Sequence, residues 1–263
     1  FESEDATDGF GAQITAGDIN GDGCDDIALP APLSNSSAGK VYIYYGRGGN
    51  CTSSDAYGSL SSADLIYGGQ TSGNKFGFAT SLEADLNGDG CNDPIVSVPG
   101  AEDTKGQVIV TYGRGSTCSS GLSSTTMPST ISSDEVFTGL AEGDRLGSEI
   151  SASTSFNGDA CSELLIKGNN ESTTSPKAYF ILGRSSDSTC ISESLVPYPT
   201  NIKYAYRIFT TETESHAFIT SGMAASGDIN GDGYGDVVMS SRGANENQGE
   251  IYLYFGESFS DNE

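Results

Sequence analysis

The sequence predicts an all-β fold: a β-propeller of four similar four-stranded units, the last of them incomplete. Three observations predict it. An acidic nine-residue loop recurs four times along the 263 residues. Short apolar runs of strand length flank every copy in the same order. The composition, with 35 Gly, 13 Tyr and 11 Phe but no Trp, suits short strands joined by tight turns. Four-stranded units arranged around an axis make a propeller, either closed at four blades or part of a larger one. Four hairpin units in a sandwich are the alternative, but near-identical units stack better around an axis.

The loops set the phase. Asp18-Ile-Asn-Gly-Asp-Gly-Cys-Asp-Asp26 returns as Asp85-Leu-Asn-Gly-Asp-Gly-Cys-Asn-Asp93 and as Asp228-Ile-Asn-Gly-Asp-Gly-Tyr-Gly-Asp236. A worn copy, Ser155-Phe-Asn-Gly-Asp-Ala-Cys-Ser-Glu163, lies between the second and the last. Ahead of the loops stand Phe10-Gly11, Phe76-Gly77, Leu146-Gly147 and, without its Gly, Phe218. Further upstream each unit has an aromatic: Phe1, Tyr67, Phe137 and Phe209. These place the domain over 1–263, with repeats at about 1–66, 67–136, 137–208 and 209–263.

After each loop comes a second strand, at Ile27-Ala-Leu29, Ile95-Val-Ser-Val98, Leu164-Leu-Ile166 and Val237-Val-Met239. A third strand then runs to a Gly: Val41 to Gly46, Val108 to Gly113, Ala178 to Gly183 and Ile251 to Gly256. These third strands carry large side chains on both faces, so both faces are expected to be buried. Phe1 reads as the end of a fourth strand, and little chain follows Gly256, so the repeats supply about fifteen strands and leave an open sheet edge.

The loops present the donor set of a Ca²⁺ site. Oxygen ligands alternate at loop positions 1, 3 and 5, a Gly follows at 6, and a carboxylate stands at 9. The predicted ligands are Asp18, Asn20, Asp22, the carbonyl of Cys24 and Asp26 in the first loop. In the second they are Asp85, Asn87, Asp89, the carbonyl of Cys91 and Asp93, and in the last Asp228, Asn230, Asp232, the carbonyl of Tyr234 and Asp236. The third offers Ser155, Asn157, Asp159, the carbonyl of Cys161 and Glu163, one carboxylate fewer, with Ala160 in place of Gly; it is expected to be weak or empty. An EF-hand needs Glu at position 12 and a following helix, whereas Leu29, Val96 and Met239 stand there inside predicted strands. Plain Asn-Gly and Asp-Gly turns do not account for Asp at 1, 5 and 9 in three copies.

The six Cys also follow the repeat. Cys24, Cys91 and Cys161 lie in loops, and Cys51, Cys118 and Cys190 follow the third strands. Fifteen pairings are open in principle. The repeat selects Cys24–Cys51, Cys91–Cys118 and Cys161–Cys190, because the start of strand two lies beside the end of antiparallel strand three. Asn35-Ser-Ser, Asn50-Cys-Thr and Asn170-Glu-Ser are glycosylation sequons, and the Ser/Thr-rich links suit O-glycans. Disulfides and sequons together point to the secretory pathway and an extracellular or cell-surface location.

Charge narrows the partners. Against 12 Lys+Arg stand 36 Asp+Glu, a formal charge of −24. This excludes a basic nucleic-acid surface and docking on anionic lipid. No apolar run is long enough to span a membrane. With His216 the sole histidine, no Gly-x-Ser-x-Gly elbow and no His-Glu-x-x-His, the chain is not read as an enzyme. Arg47, Arg114 and Arg184, each just after a strand-closing Gly, read as partners of nearby carboxylates, and Glu102-Asp103 and Asp134-Glu135 as solvated turns.

The Phe-Gly pairs, the Asp-x-Asn-x-Asp-Gly-x-x-Asp loops and the strand-three endings resemble the FG-GAP repeats of integrin α-subunit propellers, over nearly the whole chain. Where that family has Gly-Ala-Pro, this chain has Pro30-Ala31-Pro32, Ser97-Val98-Pro99, Lys167-Gly168-Asn169 and Ser240-Ser241-Arg242. The resemblance implies that the Ca²⁺ sites are mostly structural and stiffen the blade rim, and that a ligand surface lies on loops of one propeller face. The leading functional reading is an extracellular calcium-stabilised module that binds a protein or glycan ligand in adhesion. The alternatives are a structural subunit of an extracellular filament or coat, completed by a strand from a neighbouring subunit, and the propeller portion of a secreted enzyme.

Overall fold

The computed structural model describes residues 1–3, 5–47, 51, 59–115, 117–120, 122, 125–127, 134–153, 155–168, 177–184, 190, 205–209, 222–225, 227–242 and 248–258. Asn50, Asn170, His216 and Phe218 lie outside them.

The first sheet is formed by β1 (Thr15–Gly17), β2 (Asp26–Ala31), β3 (Lys40–Tyr44) and β4 (Leu65–Gly69), in that order and antiparallel throughout. The second holds β5 (Thr80–Ser81), β6 (Ile95–Val98), β7 (Gln107–Val110) and β9 (Glu135–Thr138). The third holds β10 (Leu146–Ser153), β11 (Glu163–Gly168), β12 (Lys177–Ile181) and β13 (Arg207–Phe209). The fourth has three strands, β14 (Gly222–Ala225), β15 (Val237–Ser241) and β16 (Glu250–Tyr254). Each of the first three sheets is up-and-down and closes on a strand that runs across the boundary to the next repeat, at β4, β9 and β13. A further strand, β8 (Thr125–Met127), comes from the Ser/Thr-rich link and adds in parallel to the outer edge of β4. That link was expected only to be a linker.

Consecutive sheets pack face to face. Ala28, Val41 and Ile43 of the first meet Val96, Val98 and Ile109 of the second. Ile95, Val108 and Val110 of the second meet Leu164, Ile166, Tyr179 and Ile181 of the third. Leu165, Ala178 and Phe180 of the third meet Val237 and Met239 of the fourth. Side chains alternate along each strand, so one face of a blade meets its predecessor and the other its successor. Among the described residues no comparably extensive strand packing joins the fourth sheet back to the first. The four sheets pack in series, the arrangement of an incomplete propeller.

Phe76-Gly77 and Leu146-Gly147 sit at these seams. Phe76 is fully buried in the first seam. Gly77 adopts φ +82°, and a Cβ there would stand 2.6 Å from Val41 Cγ2 of the preceding blade. Gly147 repeats this against Val108 at 3.0 Å. Gly11 has the same positive φ but open space around it. A side chain at Gly77 or Gly147 would force adjacent blades apart.

Two short turns between the second and third strands, Ser34–Ser37 and Ala101–Thr104, wind left-handed. Asn35, Ser36 and Ser37 have φ of 52°, 57° and 63°, and Glu102, Asp103 and Thr104 have 51°, 55° and 65°. Such residues cost roughly 1–2 kcal/mol each. The turns end on the next blade, where Lys75 and Phe76 donate to the carbonyls of Ser37 and Ala38, and Arg145 and Leu146 to those of Thr104 and Lys105.

Three sequence expectations need correction. Phe1 lies outside any strand and stacks its ring 4.6 Å from that of Tyr44. Asp134 and Glu135 are not a solvated turn: Glu135 opens β9, and the two carboxylates bind Arg114 and the Tyr112 hydroxyl. The third strand of the last blade is not buried on both faces, since Ile251 is 76 % exposed.

Candidate metal centre: the acidic loops

The first, second and last loops are each wound around their first carboxylate. Asp18 Oδ1 accepts the N–H groups of Gly21 and Asp22, and Oδ2 that of Gly23, at 2.7–3.2 Å. Asp85 and Asp228 repeat the three bonds with Gly88, Asp89, Gly90 and with Gly231, Asp232, Gly233. The loop glycines Gly21, Gly23, Gly88, Gly90, Gly231 and Gly233 adopt positive φ, which turns successive N–H groups onto that carboxylate. At position 5, Asp22, Asp89 and Asp232 accept the N–H two residues on.

The ninth residue has a second task that the motif does not advertise. Asp26 is fully buried. It accepts the Ile19 N–H inside the loop and the Gly46 N–H at the end of β3, at 3.0 and 2.8 Å. Asp93 does the same with Leu86 and Gly113, and Asp236 with Ile229 and Gly256. Each acid thus ties loop, second strand and third strand together. The signal was present in the sequence as a constant separation of 20 residues from the acid to the strand-closing Gly.

Electrostatics leaves these acids short of positive charge. The segments 18–26, 85–93 and 228–236 contain no Lys, Arg or His. Burial pushes the Asp26 carboxyl up to about 6, with Asp18 and Asp22 adding repulsion. Burial pushes Asp93 up to about 9, with Asp85 and Asp89 adding to it. Asp85 is raised, chiefly by burial. In the exposed last loop Asp228 is lowered, first by the Gly233 N–H. Repeated acids with only oxygen donors beside them and no basic residue in the segment have the chemistry that a hard divalent cation takes. Asp18, Asn20, Asp22, Asp26 and the Cys24 carbonyl would hold it in the first loop, and their counterparts in the second and last.

The third loop differs. Ser155 gives its hydroxyl to Asn157 and supplies no carboxylate cradle. Glu163 accepts the Phe156 N–H at 2.5 Å, but its buried Oε1 has no hydrogen-bond partner among the described residues. Burial pushes Glu163 up to about 8. Asp159 also lies close to the sulfurs of Cys161 and Cys190. Those sulfurs are joined to each other and offer no thiolate.

All three disulfides form as the repeat requires: Cys24–Cys51, Cys91–Cys118 and Cys161–Cys190. Each clamps a loop to the chain beyond its third strand. The loops also bridge blades. Asp85 and Leu86 carbonyls accept the N–H groups of Ser162 and Arg184, and Ser155 and Phe156 carbonyls those of Gly235 and Glu257. Loop rigidity is therefore passed directly to the next blade.

Two of the arginines after the strand-closing glycines, Arg47 and Arg114, behave as expected for charge partners. Arg47 pairs with Asp64 at 2.6 Å and Arg114 with Asp134. Arg184 is buried at the seam between the second and third blades. Asn35, the one sequon asparagine among the described residues, is exposed. No helix among the described residues is long and apolar enough to cross a membrane.

A sequence model of the FG-GAP repeat matches residues 10–44 and 224–254, in the first and fourth blades. Integrin alpha-4 of Xenopus laevis is 30 % identical over 107 residues, 40 % of this chain and 10 % of that protein. Human integrin alpha-8 is 33 % identical over 124 residues, 43 % of this chain and 11 % of the relative. Human integrin alpha-7 is 29 % identical over 171 residues, 63 % of this chain and 13 % of the relative. The chain spans about a tenth of the length of these relatives. The repeated loops, the Phe76-Gly77 turn at the first seam and these matches support an integrin-alpha-like FG-GAP repeat protein.

Proposed function

We propose that the chain is an extracellular, calcium-stabilised propeller domain over 1–263 that binds a protein or glycan ligand in adhesion. The observation that carries the calcium part is the crowding of buried and half-buried acids in loops that contain no basic residue. Ca²⁺ at the first, second and last loops would neutralise them, while the third lacks the donor set for more than weak binding. The cation's role in this reading is structural. It fixes the second loop, which is hydrogen-bonded to the third blade, and the last loop, which is hydrogen-bonded to the third loop, and so holds the ligand-presenting rim in shape. The three disulfides, the exposed Asn35 and the similarity to integrin alpha chains support an extracellular setting. N-glycans at Asn35, Asn50 and Asn170 belong to the same reading.

The experiment is capture of extracellular-matrix proteins and arrayed glycans by the immobilised chain, in Ca²⁺ and after EGTA. Saturable binding in Ca²⁺ that is lost on chelation is the expected result. Turnover of a glycan or phosphoester by the purified chain, without such binding, would overturn it in favour of an enzyme.

A further inference from the structure

We infer that the N-glycan on Asn35 folds back onto the protein, its innermost sugar seated in a polar cleft of the first blade. The inference rests on the reading of Asn35 as a glycosylation site and adds to it a non-covalent seat for the sugar.

The cleft lies between residues 5–8 and the left-handed turn Ser34–Ser37. Its volume is about 810 Å³. Asp5, Asp8, Ser34, Asn35, Lys40 and Tyr42 line it. The two segments are tied together where the Leu33 N–H donates to the Asp8 carbonyl at 2.9 Å. The turn is also tied to the second blade, because the Ser36 carbonyl accepts the Ser72 hydroxyl at 2.7 Å and the Gly73 N–H at 3.2 Å. Asn35 is the exposed second residue of this anchored turn.

The lining has hydrogen-bonding capacity that the protein does not use. Ser34 is 9 % exposed, and its buried hydroxyl has no partner among the described residues. A hydroxyl left in that state costs free energy until something bonds it. Lys40 makes no ion pair among the described residues, although Asp5 and Asp8 line the same cleft. Its ammonium lies 5.9 Å from the ring centroid of buried Tyr42. Asp5 accepts from Thr7, and Asp8 from Ser3 and Phe10, which fills only part of their lone-pair capacity. The repeat does not require this set. In the second blade Ala101, Glu102, Gln107 and Ile109 stand where the first has Ser34, Asn35, Lys40 and Tyr42.

The occupant must offer donors and acceptors together. Sugar hydroxyls and an N-acetyl group do so, giving to the carboxylates and accepting from the ammonium. An anionic group would meet Asp5 and Asp8, and an apolar one would leave Lys40 and Ser34 unpaired. A free sugar would be held weakly, because water competes for every bond in an open polar cleft and association costs translational freedom. A sugar tethered at Asn35 has already lost that freedom, and its effective concentration is on the order of millimolar. Asn35 is itself part of the lining, so the tether starts at the cleft.

The test uses the whole chain secreted from cells that add high-mannose glycans. Glycopeptide mass spectrometry reads occupancy at Asn35, and an amine-acylating ester reads the accessibility of Lys40. Lys105, beside the second-blade turn, is the internal reference. The sequon is removed by Asn35→Gln and, separately, by Ser37→Ala, which keeps the asparagine. Lys40 is expected to react about fivefold or more slowly in the glycosylated protein than in either variant, with Lys105 unchanged. The protection is expected to survive endoglycosidase trimming to the innermost sugar. Equal reaction of Lys40 with a glycan present on Asn35 would overturn the inference and leave the glycosylation reading standing. Protection lost on trimming would also overturn it, because shielding by a mobile chain would then account for the effect. An Asn35 without glycan would overturn both.

Discussion

The carboxylate of Asp93 accepts the backbone N–H of Gly113 at 3.0 Å, while its other oxygen accepts that of Leu86. A residue whose loop position marks it as a metal ligand is therefore also the staple between the loop and the end of β7. The two tasks are separable by substitution. Asp93→Ala leaves two buried N–H groups without acceptors and is expected to lower the unfolding free energy by about 2–4 kcal/mol, even in EGTA. Urea denaturation in EGTA measures it.

Asp22→Ala is the complementary case. Asp22 is exposed and bonds only within its loop. In EGTA the variant is expected to lose about 1 kcal/mol or less. In Ca²⁺ it is expected to lose more than that, because the cation increment of its loop goes too. Parallel urea titrations in the two buffers read the difference.

The Phe-Gly glycines give a paired prediction. Gly77→Ala pushes a Cβ toward Val41 in a left-handed backbone and is expected to cost about 2–4 kcal/mol. Gly11→Ala has the same backbone strain without a neighbour, so about 1 kcal/mol is expected. Thermal melting of both variants checks the ranking. Equal losses would mean that the seam contact contributes nothing.

The disulfides close loops of 27, 27 and 29 residues. Replacing Cys91 and Cys118 together by Ser is expected to destabilise by about 3 kcal/mol, mainly through the unfolded chain. Non-reducing melting curves of the double variant measure it.

Most of this fold was legible because the repeat fixes distances. Loop phase, strand order and all three disulfide pairs follow from landmarks that keep step along the chain. The Arg47–Asp64 and Arg114–Asp134 pairs were legible as charge partners. The left-handed turns at Asn35–Ser37 and Glu102–Thr104 were not, because backbone handedness leaves no apolar periodicity. β8 was not, because Thr125–Met127 sits in a Ser/Thr-rich link and gains its strand only from the edge of β4. Asp134 and Glu135 were misread because an acid pair looks solvated until Arg114 and Tyr112 are placed beside it. The stapling role of Asp26, Asp93 and Asp236 was hidden behind their predicted role as cation ligands, although the 20-residue spacing to Gly recorded it.

Scanning calorimetry of the chain in saturating Ca²⁺ and in excess EGTA decides whether the loops are cation sites. One site filled at a hundred times its dissociation constant stabilises by about 2.7 kcal/mol, so chelation is expected to lower the melting temperature by at least about 5 °C. The same melting temperature in both buffers would contradict the calcium reading.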